Sequence, residues 1–165
     1  TEYLALVTQT TLSVDDAAEI IAAIKQRFPH IEEPKKQDIC YATQNRQDAV
    51  KVMARRVDVM IVVGSHASSN TNRLRELAER MGVDTHMIDS ADELQPEWFE
   101  GKQQIGLTAG ASAPEVLVQE VVARLREMGV GSVRALKGVR ENMKFPLPKG
   151  LRLDKEVEAA LPHLR

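Results

Sequence analysis

The chain has one cysteine, Cys40, in the stretch DICYATQNRQDAV (residues 38–50), between an apolar approach and a segment with helical character. A lone cysteine forms no intrachain disulfide, and three chemistries suit it. Arg46 follows after five intervening residues, a spacing at which a thiolate nucleophile and a guanidinium can share a phosphate within a loop of backbone N–H groups. The intervening YATQN lacks the glycine that lets such a loop wrap closely. A thiolate at a helix N-terminus also suits iron. Clusters are held by several cysteines, so the remaining ligands would have to come from outside this chain. The third possibility is a small buried hydrophobe ending a strand, and on spacing and composition alone it leads.

Other polar groups recur in turns: TQTTLS from Thr8, SHASSNTN from Ser65 and TAGASAP from Thr108. Each follows an apolar run and precedes a helical pattern. The first unit is LALV, TQTTLS and VDDAAEIIAAIKQRF; the second is DIC, YATQN and RQDAVKVMARR. The third is VMIVVG, SHASSNTN and RLRELAERMG; the fourth is QIGL, TAGASAP and EVLVQEVVARLREMG. VDTHMI reads as an additional strand, and ADELQPEWF as a short helical or irregular link. Ser13, Asn45 and Ser112 mark helix starts, with acids nearby that favour the positive end of the helix dipole. Pro114 suits a first helical turn, while Gly82 and Gly129 suit helix stops.

Short apolar strands alternating with helices predict an α/β fold of repeated βα units around parallel sheets. Ligands of such sheets bind beyond the carboxyl ends of the strands, where loops meet helix N-termini. All the hydroxyl-rich turns fall on that edge. Helix N-termini present N–H groups and a favourable field to anions, so the turns predict one composite anion site. For any single turn, simple capping is the more economical explanation. Four on one edge favour binding.

Composition narrows the class. The chain has 165 residues, 43% hydrophobic and 28% charged, a formal net charge of -2 and a pI near 6.1. Nothing there asks for nucleic acid as a partner. The longest apolar run, VDVMIVVG, is too short to span a bilayer. A cytoplasmic globular protein is the expectation. The chain begins TEYLALV, without an initiator Met; either a tag or the Met has been removed, or this is the downstream piece of a longer protein.

The segments TQTTLSVDD, DICYATQNRQ, VVGSHASSNTNRL and GLTAGASAPE together resemble the LytB family, the hydroxymethylbutenyl diphosphate (HMBPP) reductases of non-mevalonate isoprenoid synthesis. The resemblance runs from about Tyr3 through FPLP; many members carry Asn where this chain has Ala67. It implies an iron–sulfur enzyme that removes the allylic hydroxyl of HMBPP with two electrons and protons, giving isopentenyl and dimethylallyl diphosphate. Cys40 matches one of three cysteines that hold a 4Fe-4S cluster with an open fourth iron. Thr10 matches the threonine near the substrate hydroxyl and the protonation site. Ser68, Ser69, Asn70 and Ser112 match diphosphate contacts, and Thr11 and Gln9 match supporting positions. A ferredoxin or flavodoxin is the implied electron donor. His66, His30, His86, His163, Asp15, Asp16, Arg46 and Trp98 are expected to have no catalytic role.

The family has an upstream half with the other two cluster cysteines, several histidines and a glutamate, none of which has a counterpart in this sequence. Its fold is a cloverleaf of three α/β lobes. Residues 1–37 are then expected to be the second half of one lobe, 38–138 a complete lobe, and 139–165 a C-terminal extension. The chain alone is expected neither to hold a stable cluster nor to turn over. The competing possibility is a non-catalytic diphosphate-binding LytB-like module that lacks the redox half; a thiol phosphatase is a distant third. A half-lobe would leave apolar sheet edge unpaired. The isolated chain should therefore self-associate or be poorly stable. Sedimentation of a clean monomer at 18.4 kDa would contradict this.

Overall fold

The structure, a computed structural model, describes residues 3–34 and 38–138. Its centre is a three-stranded parallel sheet of order β2-β1-β3, formed by β1 (Val59–Val63), β2 (Asp84–Ile88) and β3 (Ile105–Ala109). All five residues of β1, VMIVV, are fully buried. A continuous apolar run is what a central parallel strand requires, since helices cover both its faces. Register is direct, with Val59 opposite Asp84 and Ile105, and Val63 opposite Ile88 and Ala109.

Two apolar clusters fill the faces. On one, α2 (Tyr41–Ala54) and α3 (Ser69–Arg80) bring Val50, Leu74 and Ala78 against Met60 and Val62. On the other, α4 (Glu115–Glu127) brings Val121 and Leu125 against Ile61, Val63 and Ile88. Two short 3-10 segments, Ala91–Glu93 and Pro96–Phe99, complete that second layer. Trp98 stacks on His86 with ring centroids 4.0 Å apart and planes within 3° of parallel. At the opposite edge of the sheet Asp58 accepts the N–H groups of Gln103 and Gln104 at 2.8 and 2.9 Å, tying the entry of β3 to that of β1.

The strands of the third and fourth predicted units and the additional strand VDTHMI are present, at Val59–Val63, Ile105–Ala109 and Asp84–Ile88. The first two differ. LALV forms no sheet strand; it makes one isolated parallel bridge, Ala5 to Glu32, and is followed by α1 (Val14–Arg27). Tyr3, Val7, Ile20 and Phe28 of this part lie exposed. DIC is not a strand either, because no neighbouring strand offers its backbone a ladder, and YATQN is the first turn of α2 rather than a loop. The polar letters that read as a turn are helical because their apolar partners, Val50 and Met53, pack onto the sheet.

Helix starts shift accordingly. Ser13 caps α1 as expected, accepting the Asp16 N–H at 3.2 Å. Asn45 lies inside α2, whose N-cap is Cys40. The third helix begins at Ser69, before the predicted RLRELAER, and Pro114 occupies the N-cap of α4 rather than its first turn. Ser112 precedes that cap and makes none. Residues 130–138 have no regular structure, and the FPLP and KEVEAALPHLR segments lie outside the described residues.

Just beyond the strands, Gly64 and Gly110 flank Thr71. Gly64 has φ +142°, open to glycine at little cost. A Cβ at Gly64 would lie 2.8 Å from Thr71 Oγ1, and one at Gly110 only 2.3 Å from it. Thr71, 1% exposed, is thus a wedge between the ends of β1 and β3. Gly110→Ala should destabilise the protein by about 1–3 kcal/mol through overpacking, and Thr71→Ala in the same molecule should recover part of that loss. Urea denaturation of the two single variants and the double variant tests this; additive effects would separate the glycine from the wedge.

Candidate functional site

Three helix N-termini converge on one edge of the sheet. Short connections place the starts of α3 and α4 at the carboxyl ends of β1 and β3. Helix α2 enters β1 through residues 55–58, so its far end, with Cys40, returns to the same edge after about 20 Å of helix. The predicted composite edge is therefore built by α2, α3 and α4, with the turn before α1 joined to it.

That junction is made by hydrogen bonds at alternate residues. Thr8 N–H donates to Asp38 Oδ2 at 2.7 Å, and Cys40 N–H donates to the Thr10 carbonyl at 3.0 Å. Gln47 Nε2 donates to the Leu12 carbonyl at 2.8 Å, and Val14 N–H donates to Gln47 Oε1 at 2.9 Å. Thr10 and Cys40 are thus brought into register through backbone, leaving both side chains uncommitted by that bond. Thr10 is exposed and Thr11 half-buried. Cys40 is half-buried, occupies the N-cap of α2 and makes no side-chain cap bond.

The start of α3 differs in kind. Ser68 Oγ accepts the Thr71 N–H at 3.3 Å as the helix cap, and Ser69 is exposed in the first turn. Asn72 Nδ2 donates to the carbonyls of His66 and Ser68 at 2.7 and 2.9 Å, closing the preceding turn. Asn70 is 6% exposed, and both polar atoms of its amide are buried with no hydrogen-bond partner among the described residues. Leaving such a group unpaired costs about 1–3 kcal/mol, so the arrangement makes sense around a guest with both donor and acceptor capacity or bridging water. Gly110 lies beside it: a Cβ there would be 3.8 Å from Asn70 Nδ2. Ser112, two residues on, is exposed.

Several expectations can be sorted on this geometry. Residues 41–46 are helical, so their N–H groups form no phosphate-wrapping loop, and Arg46 Nη1 donates to the Ala42 carbonyl of its own helix at 3.1 Å. The thiol phosphatase arrangement is absent. His66 is exposed. No group of three or more His, Cys, Asp or Glu side chains that could hold a metal occurs among the described residues. Sequence reasoning missed Gln47, Asp38, Thr71 and Asn72. Gln47 had a legible signal: Thr43, Gln47 and Val50, all buried, share one face of α2 at helical spacing, so an amide stands where an apolar residue is usual.

A family model for the LytB protein matches residues 1–126. The chain belongs to the LytB family. The 4-hydroxy-3-methylbut-2-enyl diphosphate reductase of Polaromonas sp. is 66% identical over 154 residues, covering 93% of this chain and 46% of that protein. That of Methylibium petroleiphilum is 68% identical over 157 residues, covering 95% and 47%. Among solved structures, the E-1-hydroxy-2-methyl-but-2-enyl-4-diphosphate reductase from Plasmodium falciparum superposes with TM-score 0.84 at 34% identity, over 99% of this chain and 50% of that one. The chain spans about half the length of the LytB relatives it matches. No helix among the described residues is long and apolar enough to cross a membrane.

Ion pairs reinforce the junction of the Thr10 turn with the sheet. Arg80 Nη1 donates to both carboxylate oxygens of Asp16 at 2.8 and 3.0 Å, and Lys51 Nζ lies 2.8 Å from Asp15. The Arg80 hydrogen bond holds the Asp16 carboxyl below its ordinary range, against a smaller opposing effect of desolvation. A depressed folded-state value means that the stabilisation is present above the unfolded value, about 3.9, and is lost as pH falls through the folded value. The Asp16 carboxyl, followed by NMR, should titrate below an ordinary aspartate, and Arg80→Ala should move its midpoint upward. A midpoint unchanged by Arg80→Ala would dissociate the shift from the ion pair.

Proposed function

We propose that this chain is part of an iron–sulfur reductase that converts HMBPP to isopentenyl and dimethylallyl diphosphate. The observation that carries the reading is the Asn70 amide, buried and unpartnered among the described residues at the N-terminus of α3. It sits in the turn that the family resemblance assigns to diphosphate. Residues 1–37 would be the second half of one lobe, 38–138 a whole lobe and 139–165 an extension. The remaining protein would supply the rest of the site, a ferredoxin or flavodoxin the electrons, and the cytoplasm the setting.

The Cys40 position suits one ligand of a 4Fe-4S cluster. It is half-buried at the N-cap of α2, and its Sγ is not spent on capping that helix. The other ligands would come from outside this chain, in keeping with the lack of a three-ligand group among its described residues. When bound, the cluster would supply two electrons and a Lewis-acid contact for the allylic oxygen.

The chain's own residues would do the rest. Ser68, Ser69, Asn70 and Ser112 offer neutral O–H and N–H donors at two helix N-termini, which hold a diphosphate without surplus positive charge. Asn70 would meet a phosphate oxygen with its N–H; its carbonyl would accept from a hydroxyl or water. Thr10, held in register with Cys40, would keep a proton at the allylic hydroxyl, with Thr11 beside it.

Anaerobic native mass spectrometry of the protein from its source cells should find a species well above 18.4 kDa carrying iron and sulfide. An iron-free species at that mass would replace the enzyme with the binding module. In the iron-bearing protein, Asn70→Ala should raise KM roughly 10- to 100-fold, from loss of a charge-assisted bond, and Thr10→Ala should lower kcat by about 100-fold or more. Wild-type kinetics in both variants would remove these residues from the site.

A further inference from the structure

Gln47 lies about two turns along α2 from Cys40 and is 2% exposed. Its amide uses both its functions on one strip of backbone, donating to Leu12 and accepting from Val14. Those two bonds, with Cys40 to Thr10 and Asp38 to Thr8, hold residues 8, 10, 12 and 14 against the start of α2. The strip is not part of a sheet, so no ladder fixes its register. The apolar residues within it, Leu12 and Val14, are only half-buried. Of the four bonds, one amide side chain supplies two.

We infer that Gln47 is a positioning residue, which fixes the Thr10 turn in register with the cysteine helix and thereby sets the place of the Thr10 hydroxyl relative to Cys40. The inference rests on the reductase reading for its catalytic consequence, but not for its geometry. Gln47 is too deeply buried to touch a ligand at the sheet edge; it acts through Leu12 and Val14. A purely structural role, capping the first turn of α1, would leave the Cys40–Thr10 bond intact when Gln47 is removed. A positioning role would not.

Two variants in the natural polypeptide that contains this chain separate these roles. Gln47→Ala removes both bonds. Val14→Pro removes only the Val14 N–H, at the first residue of α1, where proline is accommodated and the preceding Ser13 is already extended at φ -60°, ψ 126°. Amide hydrogen exchange at Cys40, whose N–H bonds Thr10 rather than Gln47, should quicken by about ten-fold in Gln47→Ala and by less in Val14→Pro, while Val62 in the sheet keeps its protection. In the reductase assay kcat should fall about 10- to 100-fold with KM unchanged, since a small displacement of a reacting group affects the chemical step and the Ser68–Asn70 turn is untouched. Unchanged Cys40 exchange in both variants, or kcat and KM falling and rising together, would overturn the inference. If Gln47→Ala loses Val62 protection and so unfolds, Val14→Pro decides by the same two readouts. A wild-type protein without reductase activity would overturn the reductase reading alone, and Cys40 exchange would still decide whether Gln47 holds Thr10.

Discussion

The parallel pairing of β1 with its two neighbours is the constraint on which every candidate functional group depends. Because VMIVV is buried on both faces, helices must pack on each side, and helices that follow or precede parallel strands return their N-termini to one edge. Cys40, Ser68 and Ser112 are far apart in the chain. They share an edge only because β1 and β3 end in register at Val63 and Ala109, with Thr71 wedged between the glycines that follow.

That edge collects dipoles rather than formal charges. The groups gathered there are hydroxyls, an amide and helix N-terminal N–H groups, while the ion pairs of Asp15, Asp16, Lys51 and Arg80 link α1 to α2 and α3. Neutral donors at helix N-termini can hold an anion through directed hydrogen bonds and aligned dipoles, without formal positive charge. The buried Asn70 amide belongs to the same economy. Thr71 Oγ1, Arg75 Nε and His86 Nε2 are likewise buried without a hydrogen-bond partner among the described residues; at Asn70 a donor and an acceptor are left unpaired together, beside the Thr71 hydroxyl.

The junction between residues 8–14 and the start of α2 has a different physical basis from the packing around the sheet. Around the sheet, apolar burial fills both faces. At the junction, backbone bonds, one amide and two exposed ion pairs align two pieces of chain. Such contacts contribute geometry more than cohesion, since exposed pairs are screened by solvent, and through them Thr10 and Cys40 lie in register.

Much of this was legible from residues alone. The strand-like segments at 59–63, 84–88 and 105–109, alternating with helical patterns, determined a parallel sheet, because strands alternating with amphipathic helices have few other ways to bury both faces; the hydroxyl-rich turns determined which edge is polar, and the motifs in them the family. Tertiary structure decided the rest. DIC and LALV are apolar enough for strands but find no neighbours to complete a ladder, and YATQN is polar enough for a turn but is helical because Val50 and Met53 pull it onto the sheet. Gln47 shares a helix face with Thr43 and Val50, which marks it as an unusual amide, but nothing in the letters names its partners. Only folding reveals that its amide meets Leu12 and Val14, more than thirty residues away, because hydrogen bonds depend on where two backbones arrive and not on the letters that carry them.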